Sequence, residues 1–354
     1  MALLLNIAII AAVSVPFRES GNGVLLFSMW SIYTYLSVYI SKFIYFIFSL
    51  LADLPKLWHS HSWMPLRLSA IVLAVIVLGT LWWGALINRF NSDVKQVNVE
   101  IANLPDGFED YKIVQISDLH TGTYGNDTAY ISSIVDRINS LNPDMIVFTG
   151  DIVNSKSNEL LPHVGPLSRL SAPDGVYSIL GNHDYGDYSV WPSDEAKKKN
   201  LDDLKTLQKE MGWDLILNSH RMIHHQSDSI ALIGVENVGD PPFHTYGNLS
   251  VSYPDLSDDV TKILLSHNPA HWCDSIADDP SKNIALTLSG HTHAMQMEIA
   301  GFSPAVWRYR TWGGMYNSDS TDNALYVNIG IGTVGLPARI GATPEITLLT
   351  LKKK

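Results

Sequence analysis

The chain has 354 residues, 46 % of them hydrophobic, and a formal net charge of −11. Residues 1–90 carry +3 and the remainder therefore −14; an acidic soluble part argues against nucleic-acid binding, which rests on a basic face. The single cysteine, Cys273, excludes an intrachain disulfide and a cysteine-built zinc site, and leaves the redox compartment open.

The N-terminal region is too apolar to be ordinary globular sequence. Residues 2–15 are apolar but short for a membrane span. No basic segment precedes them and "AAVSVP" is a weak cleavage site, so a third, incomplete helix is expected there in preference to a signal peptide. Residues 24–51 form a second apolar stretch, rich in tyrosine and containing Lys42, which can snorkel or face a partner helix. Residues 66–87 carry one charge, Arg67 at their second position; at ~1.5 Å per residue they cross a ~30 Å hydrocarbon core. The expected organisation is a membrane region at 1–90, with two to three transmembrane helices, and a catalytic domain at 96–354. The expected location is the bacterial cytoplasmic membrane. Lys56 and Arg67 on one side of the last span balance Arg89 and Lys95 on the other. The extracytoplasmic side is slightly favoured for the catalytic domain.

From Lys95 onward, short Val- and Ile-rich runs alternate with amphipathic stretches. "YKIVQIS" (111–117), "DMIVFTG" (144–150) and "GVYSILG" (175–181) read as strands. Residues 128–143 carry apolar positions at helical spacing, and "LDDLKTLQKEMGW" (201–213) is a helix closed by Gly212. "LILN", "IALIGVEN", "KILLSHNP", "IALTLSGHTH" and "ALYVNIG" supply further strands. This order predicts an α/β fold with both sheet faces covered.

Each main strand is followed by metal-ligand chemistry. Asp118 and His120 follow the first, Asp151 the second, and Asn182, His183 and Asp184 the third. His267 and the pair His291 and His293 follow two later ones. The carboxyl ends of strands in open α/β sheets form one rim, where ligands bind. Gly150, Gly181 and Gly290 precede three of the clusters and permit sharp turns. Two carboxylates, one amide and four or five histidines exceed the needs of one tetrahedral zinc. They suit two divalent ions sharing a carboxylate, with Mn, Fe, Zn and Ni all compatible with the donor set. Singly, Asp151 could be a turn or N-cap residue and Asn182 a turn residue.

"DLH", "GDIVN", "GNHDY", "SHNP" and "GHTH", in this order and after strands, resemble the calcineurin-like metallophosphoesterase family over about residues 96–354. The tail "YVNIGIGTVGLPARIGATPEITLLTL" resembles a bacterial membrane-associated branch of it. The resemblance implies a sandwich of two β-sheets flanked by helices, here preceded by a helical transmembrane region. It implies that Asp118, His120 and His293 hold one ion, that Asn182, His267 and His291 hold a second, and that Asp151 bridges them. A water or hydroxide between the ions would attack phosphorus. His183 would protonate the leaving oxygen or stabilise the transition state, with Asp184 holding its orientation. Many relatives have two glycines where this chain has Ala294 and Met295. His163, His220, His224, His225, His244 and His271 read as ordinary loop or surface histidines. Arg339 reads as a phosphate contact or a structural salt bridge, and Asn328 belongs to the same tail motif.

The expected function is hydrolysis of a phosphate ester or diester at the bilayer, with a lipid-linked or cell-envelope phosphate as the favoured partner and no nucleic acid. Soluble nucleotides or phosphoproteins are alternative substrates, and a non-catalytic sensor or assembly protein is the alternative outside enzymes. A transporter is disfavoured, because Lys42 is the lone charge away from the ends of the apolar stretches.

Overall fold

The computed structural model describes residues 2–14, 19–58, 61–240, 244–253, 256–257 and 259–354. Helix α1 (Ala2–Val13) has 12 residues, about 18 Å at ~1.5 Å per residue, too short to cross a bilayer. The expected third helix is present over these residues; Val15, its expected end, lies outside the described residues. Helices α2 (Asn22–Asp53) and α3 (Met64–Leu86) are long and apolar enough to cross a membrane. Their buried positions are mostly small: Ser28, Ser37 and Ser41 on α2, and Ala70, Gly84 and Ala85 on α3. Apolar helices in lipid associate by such close approach, because lipid supplies no hydrophobic drive between them. Tyr39 donates to Asn6 Oδ1 at 2.8 Å, tying α1 to α2, and Lys42 Nζ sits 4.8 Å above the Tyr39 ring.

Beyond α3 the described residues form twelve strands. These are β1 (Asp93–Ile101), β2 (Lys112–Ile116), β3 (Met145–Phe148), β4 (Val176–Ser178), β5 (Asp214–Leu215) and β6 (Ser219–His225), then β7 (Asp228–Gly234), β8 (Lys262–Leu265), β9 (Leu286–Ser289), β10 (Gly314–Asn317), β11 (Ala324–Val327) and β12 (Glu345–Lys353). They make two mixed sheets, ordered β1-β12-β2-β3-β4-β5 and β10-β11-β9-β8-β7-β6. The runs β2-β3-β4-β5 and β7-β8-β9-β11 are parallel, while β12 against β2, β6 against β7 and β10 against β11 are antiparallel.

Strand alternation builds the layers. Ile113, Met145 and Val147 point between the sheets, where they meet Ile263, Leu265, Leu286 and Leu288 of the second sheet. Their neighbours Val114, Ile116, Ile146 and Phe148 point outward, against helix α4 (Ala129–Ser140) through Ile131, Ile134 and Ile138. Both faces of each central strand are buried, which is why these strands read as unbroken apolar runs. The expected helix at 201–213 begins earlier, at Asp194, capped by Ser193 Oγ accepting from Ala196 N, and runs to Glu210. Strands β1, β6 and β10 were not expected. His220, His224 and His225, read as loop or surface residues, lie on β6.

The parallel strands of both sheets end on one rim. The turns after β2, β3 and β4 meet those after β8, β9 and β11 there, and these turns carry the candidate ligands.

Candidate metal centre

The rim turns are tight because they deliver side chains over the sheet edge. Five expected ligands adopt left-handed backbone: Asp118 (φ 54°), His120 (φ 48°), Asp151 (φ 62°), His291 (φ 76°) and His293 (φ 51°). Such conformations cost on the order of 1 kcal/mol or more each and concentrate at functional sites. The glycines act in two ways. Gly150 has φ 98°. Gly181 and Gly290 keep ordinary φ and are required by close approach instead: a Cβ at Gly290 would lie 1.9 Å from Ser117 Oγ and 2.4 Å from Asp118 Oδ2.

Three donor groups converge: Asp118, His120 and His293; His120, Asp151 and His183; Asp151, His267 and His291. His120 Nε2 faces His293 Nε2 at 3.1 Å, and His293 Nε2 lies 3.3 Å from Asp118 Oδ1. His267 Nε2 faces His291 Nδ1 at 3.2 Å and Asn182 Oδ1 at 3.1 Å. Asp151 Oδ2 stands between the groups, 3.7 Å from His120 Nε2 and 3.2 Å from His267 Nε2. All expected ligands are thus brought together.

Burial pushes the imidazoles of His120 and His291 down to about 3 and His293 well below its usual range. It pushes the Asp118 carboxyl up to about 6. Asp151 is held well below the usual carboxylate range: burial opposes this, and His267 and His183 outweigh it. Burial also lowers His267, but the Asp151 carboxylate more than reverses that, to about 9.

These donors fit divalent cations. The Nδ1 of His267 donates to Thr149 O at 2.7 Å, which turns the Nε2 lone pair of the neutral ring inward, towards His291 Nδ1. Imidazole lone pairs about 3 Å apart repel unless a proton or a cation lies between them, and the same centre holds two carboxylates. The oxygen and nitrogen donors, without thiolate, suit Mn, Fe, Zn or Ni.

His183 reaches the same centre, but Asp184 does not orient it. The His183 Nδ1 donates to Asn154 O at 2.7 Å. Asp184 is fully buried and accepts N–H bonds from Gly181, Asp151, Ile152 and Val153, at 2.9–3.3 Å. It pins the β3 turn to the β4 turn, because a buried carboxylate needs every donor it can reach. Arg339 is fully buried too, and meets neither a phosphate-accessible surface nor a carboxylate. It donates to the carbonyls of Ile329, Gly332 and Ala342, and its Nη2 lies 3.3 Å from His293 Nδ1. Asn328 is likewise internal, donating to Thr347 Oγ1 and accepting from Gly330 N. His163 and His271 are buried away from the centre, bonded to Gly125 O and Ser266 Oγ, which corrects their reading as surface residues.

A cavity of about 610 Å³ opens over the cluster and is lined by His183, His291, Tyr188, Arg308 and Tyr309, among others. The last three were missed from sequence. Tyr188 OH accepts from Asn182 Nδ2 at 2.9 Å, which turns the amide oxygen inward. The Tyr309 ring meets His291 edge-on, and Arg308 brings a cation to the mouth. The only sequence signal was aromatic and basic residues clustered outside the recognised motifs.

A family model described as calcineurin-like phosphoesterase matches residues 111–295. The metallophosphoesterase YkuE of Bacillus subtilis is 35 % identical over 257 residues, 70 % of this chain and 82 % of that one. A transmembrane protein with a metallophosphoesterase domain from Danio rerio is 30 % identical over 80 % of this chain, which spans 62 % of its length. The UDP-2,3-diacylglucosamine pyrophosphatase LpxG of Chlamydia trachomatis is 27 % identical, over 78 % of this chain and 94 % of its own. With two mixed sheets flanked by helices and Asp and His clusters at their common rim, the chain belongs to the calcineurin-like phosphoesterases and is a metal-dependent phosphoester hydrolase.

Proposed function

We propose that the protein is a membrane-anchored phosphoesterase with a two-metal centre, acting on a lipid-linked phosphate. Asp118, His120 and His293 would hold one ion, Asn182, His267 and His291 the other, and Asp151 both. The observation that carries this is the position of Asp151 Oδ2, one carboxylate oxygen within 3.7 Å of a histidine from each set. When bound, divalent ions there supply charge neutralisation at the phosphoryl oxygens and activation of water.

The chain's own residues do the rest. With its Nδ1–H held by Asn154 O, His183 presents Nε2 to the cavity and gives its second proton to the leaving oxygen. Arg308, at the mouth, attracts and orients the anionic ester. Tyr188 and Asp184 are positioning residues, acting through Asn182 and through the two turn backbones. The apolar helices α2 and α3, together with the similarity to a relative named for hydrolysis of a diacylated nucleotide sugar, favour a lipid-linked substrate.

The test is a panel of phosphate mono- and diesters, lipids included, on the full chain, with elemental analysis of the same preparation. His183→Ala should lower kcat by about 10²–10⁴ while metal content stays near that of the unmodified protein. Loss of the metal together with the activity would contradict the role given to His183.

A further inference from the structure

The cavity over the metal ligands does not end at them. It shares His183, Tyr188, Val334 and Gly335 with a second cavity, of about 430 Å³, whose opposite wall is helix α2: Leu25, Leu26, Met29 and Ile32. It shares Met295, Gln296 and Leu336 with a third, of about 140 Å³, walled by Leu36 and Ile40 of α2 and by Leu81 of α3. Positions 25, 29, 32, 36 and 40 follow one another at helical spacing, so one apolar stripe runs along α2, itself a candidate span, from beside the proposed metal ligands.

The stripe is held against the site. Asn22 Nδ2 donates to Gly122 O at 2.9 Å, and Lys156 Nζ to Ser20 O at 3.0 Å. Tyr33 donates to Leu81 O, and the backbone of Arg339 exchanges hydrogen bonds with Gly84 and Asn88 at the end of α3. Gln296 braces the partition between the cavities, accepting from Val334 N at 2.7 Å and donating to Leu336 O at 3.1 Å. Beside the third cavity the turn 297–307 exposes Ile299, Phe302, Val306 and Trp307, the last 78 % exposed. Aromatic and aliphatic side chains grouped this way seat a surface at the bilayer interface.

From these juxtapositions we infer that the N-terminal half of α2 is part of the substrate site: the hydrocarbon chain of a membrane phospholipid-type ester lies along Leu25, Met29, Ile32 and Leu36 while its phosphate reaches the metal ligands. The inference rests on the phosphoesterase reading and specifies its substrate as one that never fully leaves the bilayer. The cavities have the size and apolar lining of a ligand pocket, and one continuous helix connects the lipid to the reacting centre. A water-soluble ester would leave the stripe on α2 unfilled and gain nothing from it.

The test uses the full chain in phosphatidylcholine nanodiscs and two diesters with the same scissile bond, methyl p-nitrophenyl phosphate and hexadecyl p-nitrophenyl phosphate. The unmodified protein should prefer the hexadecyl ester. Met29→Trp, which fills the stripe, should lower the ratio of kcat/KM values, hexadecyl over methyl, by about tenfold. An unchanged ratio overturns the inference. In parallel, a hexadecyl phosphate carrying a terminal diazirine is photolysed with the unmodified protein and with Met29→Trp. Labelling of residues 22–40 that Met29→Trp suppresses supports the cleft; labelling confined to other faces of α1, α2 and α3 overturns it. Absence of metal-dependent turnover of both esters, and of p-nitrophenyl phosphate, would instead sink the phosphoesterase reading, and the labelling still decides the cleft.

Discussion

The carboxylate of Asp151 is buried, yet its histidine neighbours hold it well below the usual carboxylate range. Its partner His267 is raised to about 9 in return, so near neutral pH the metal-free centre carries a proton on that ring. A metal must displace it, because only the neutral imidazole ligates. Asp118, raised by burial to about 6, adds a second proton below that pH, whereas His120 and His291, lowered to about 3, add none. Metal affinity should therefore rise with pH from about 6 to about 9. Calorimetric titration in buffers of different ionisation heat should find roughly one proton released at about pH 7.5, falling towards none above about 9. Release that does not vary with pH would contradict this. The residues of the cluster were legible, since acids and histidines directly after apolar strands have few other reasons to recur. The partners of Asp184 and His183 were not: the donors to Asp184 and the acceptor for His183 are backbone atoms, which no side-chain motif records.

Among the elements, the turn after β9 is the most strained. His293, Ala294, Met295 and Gln296 all have φ between 48° and 56°. Ala294 and Met295 carry side chains on backbone that glycine would adopt easily. Ala294 is buried against Ile329 and Ala342, so its methyl group has a packing role. Met295 is 44 % exposed and lines the cavities. Met295→Gly should raise stability by about 1 kcal/mol, read as a higher unfolding midpoint of the metal-loaded protein. A lower midpoint would mean that Met295 contributes more by contact than it costs in backbone strain. The central strands were legible because both their faces are buried. Strand β6 was not, because "SHRMIHH" is an edge strand with only Ile223 fully buried, so its alternation is weak. Strand β1 was hidden for a related reason: polar residues fill much of it, and its hydrogen bonds go to β12, some 250 residues later.

Across the whole molecule, the long apolar helices are packed against the rim. A Cβ at Gly84 would lie 2.8 Å from Arg339 O, and the side chain of Arg339 reaches His293. One residue thus links the end of α3 to a proposed metal ligand. Gly84→Leu should displace this contact, destabilise the protein by about 1–3 kcal/mol and weaken metal retention, as read by unfolding and by metal content after dialysis. Destabilisation with unaltered metal retention would show that the docking does not reach the centre. The two long apolar helices were legible from length and hydropathy, but their seat against the rim was not, since contacts between segments about 250 residues apart leave no local pattern. The claim on which the rest depends is that Asp151 serves two ions. Elemental analysis of the full chain, saturated with manganese and freed of unbound ion, should find about two ions per chain, and Asp151→Ala should bind clearly fewer and lose turnover. One ion per chain with full activity, or unchanged stoichiometry in Asp151→Ala, would contradict it.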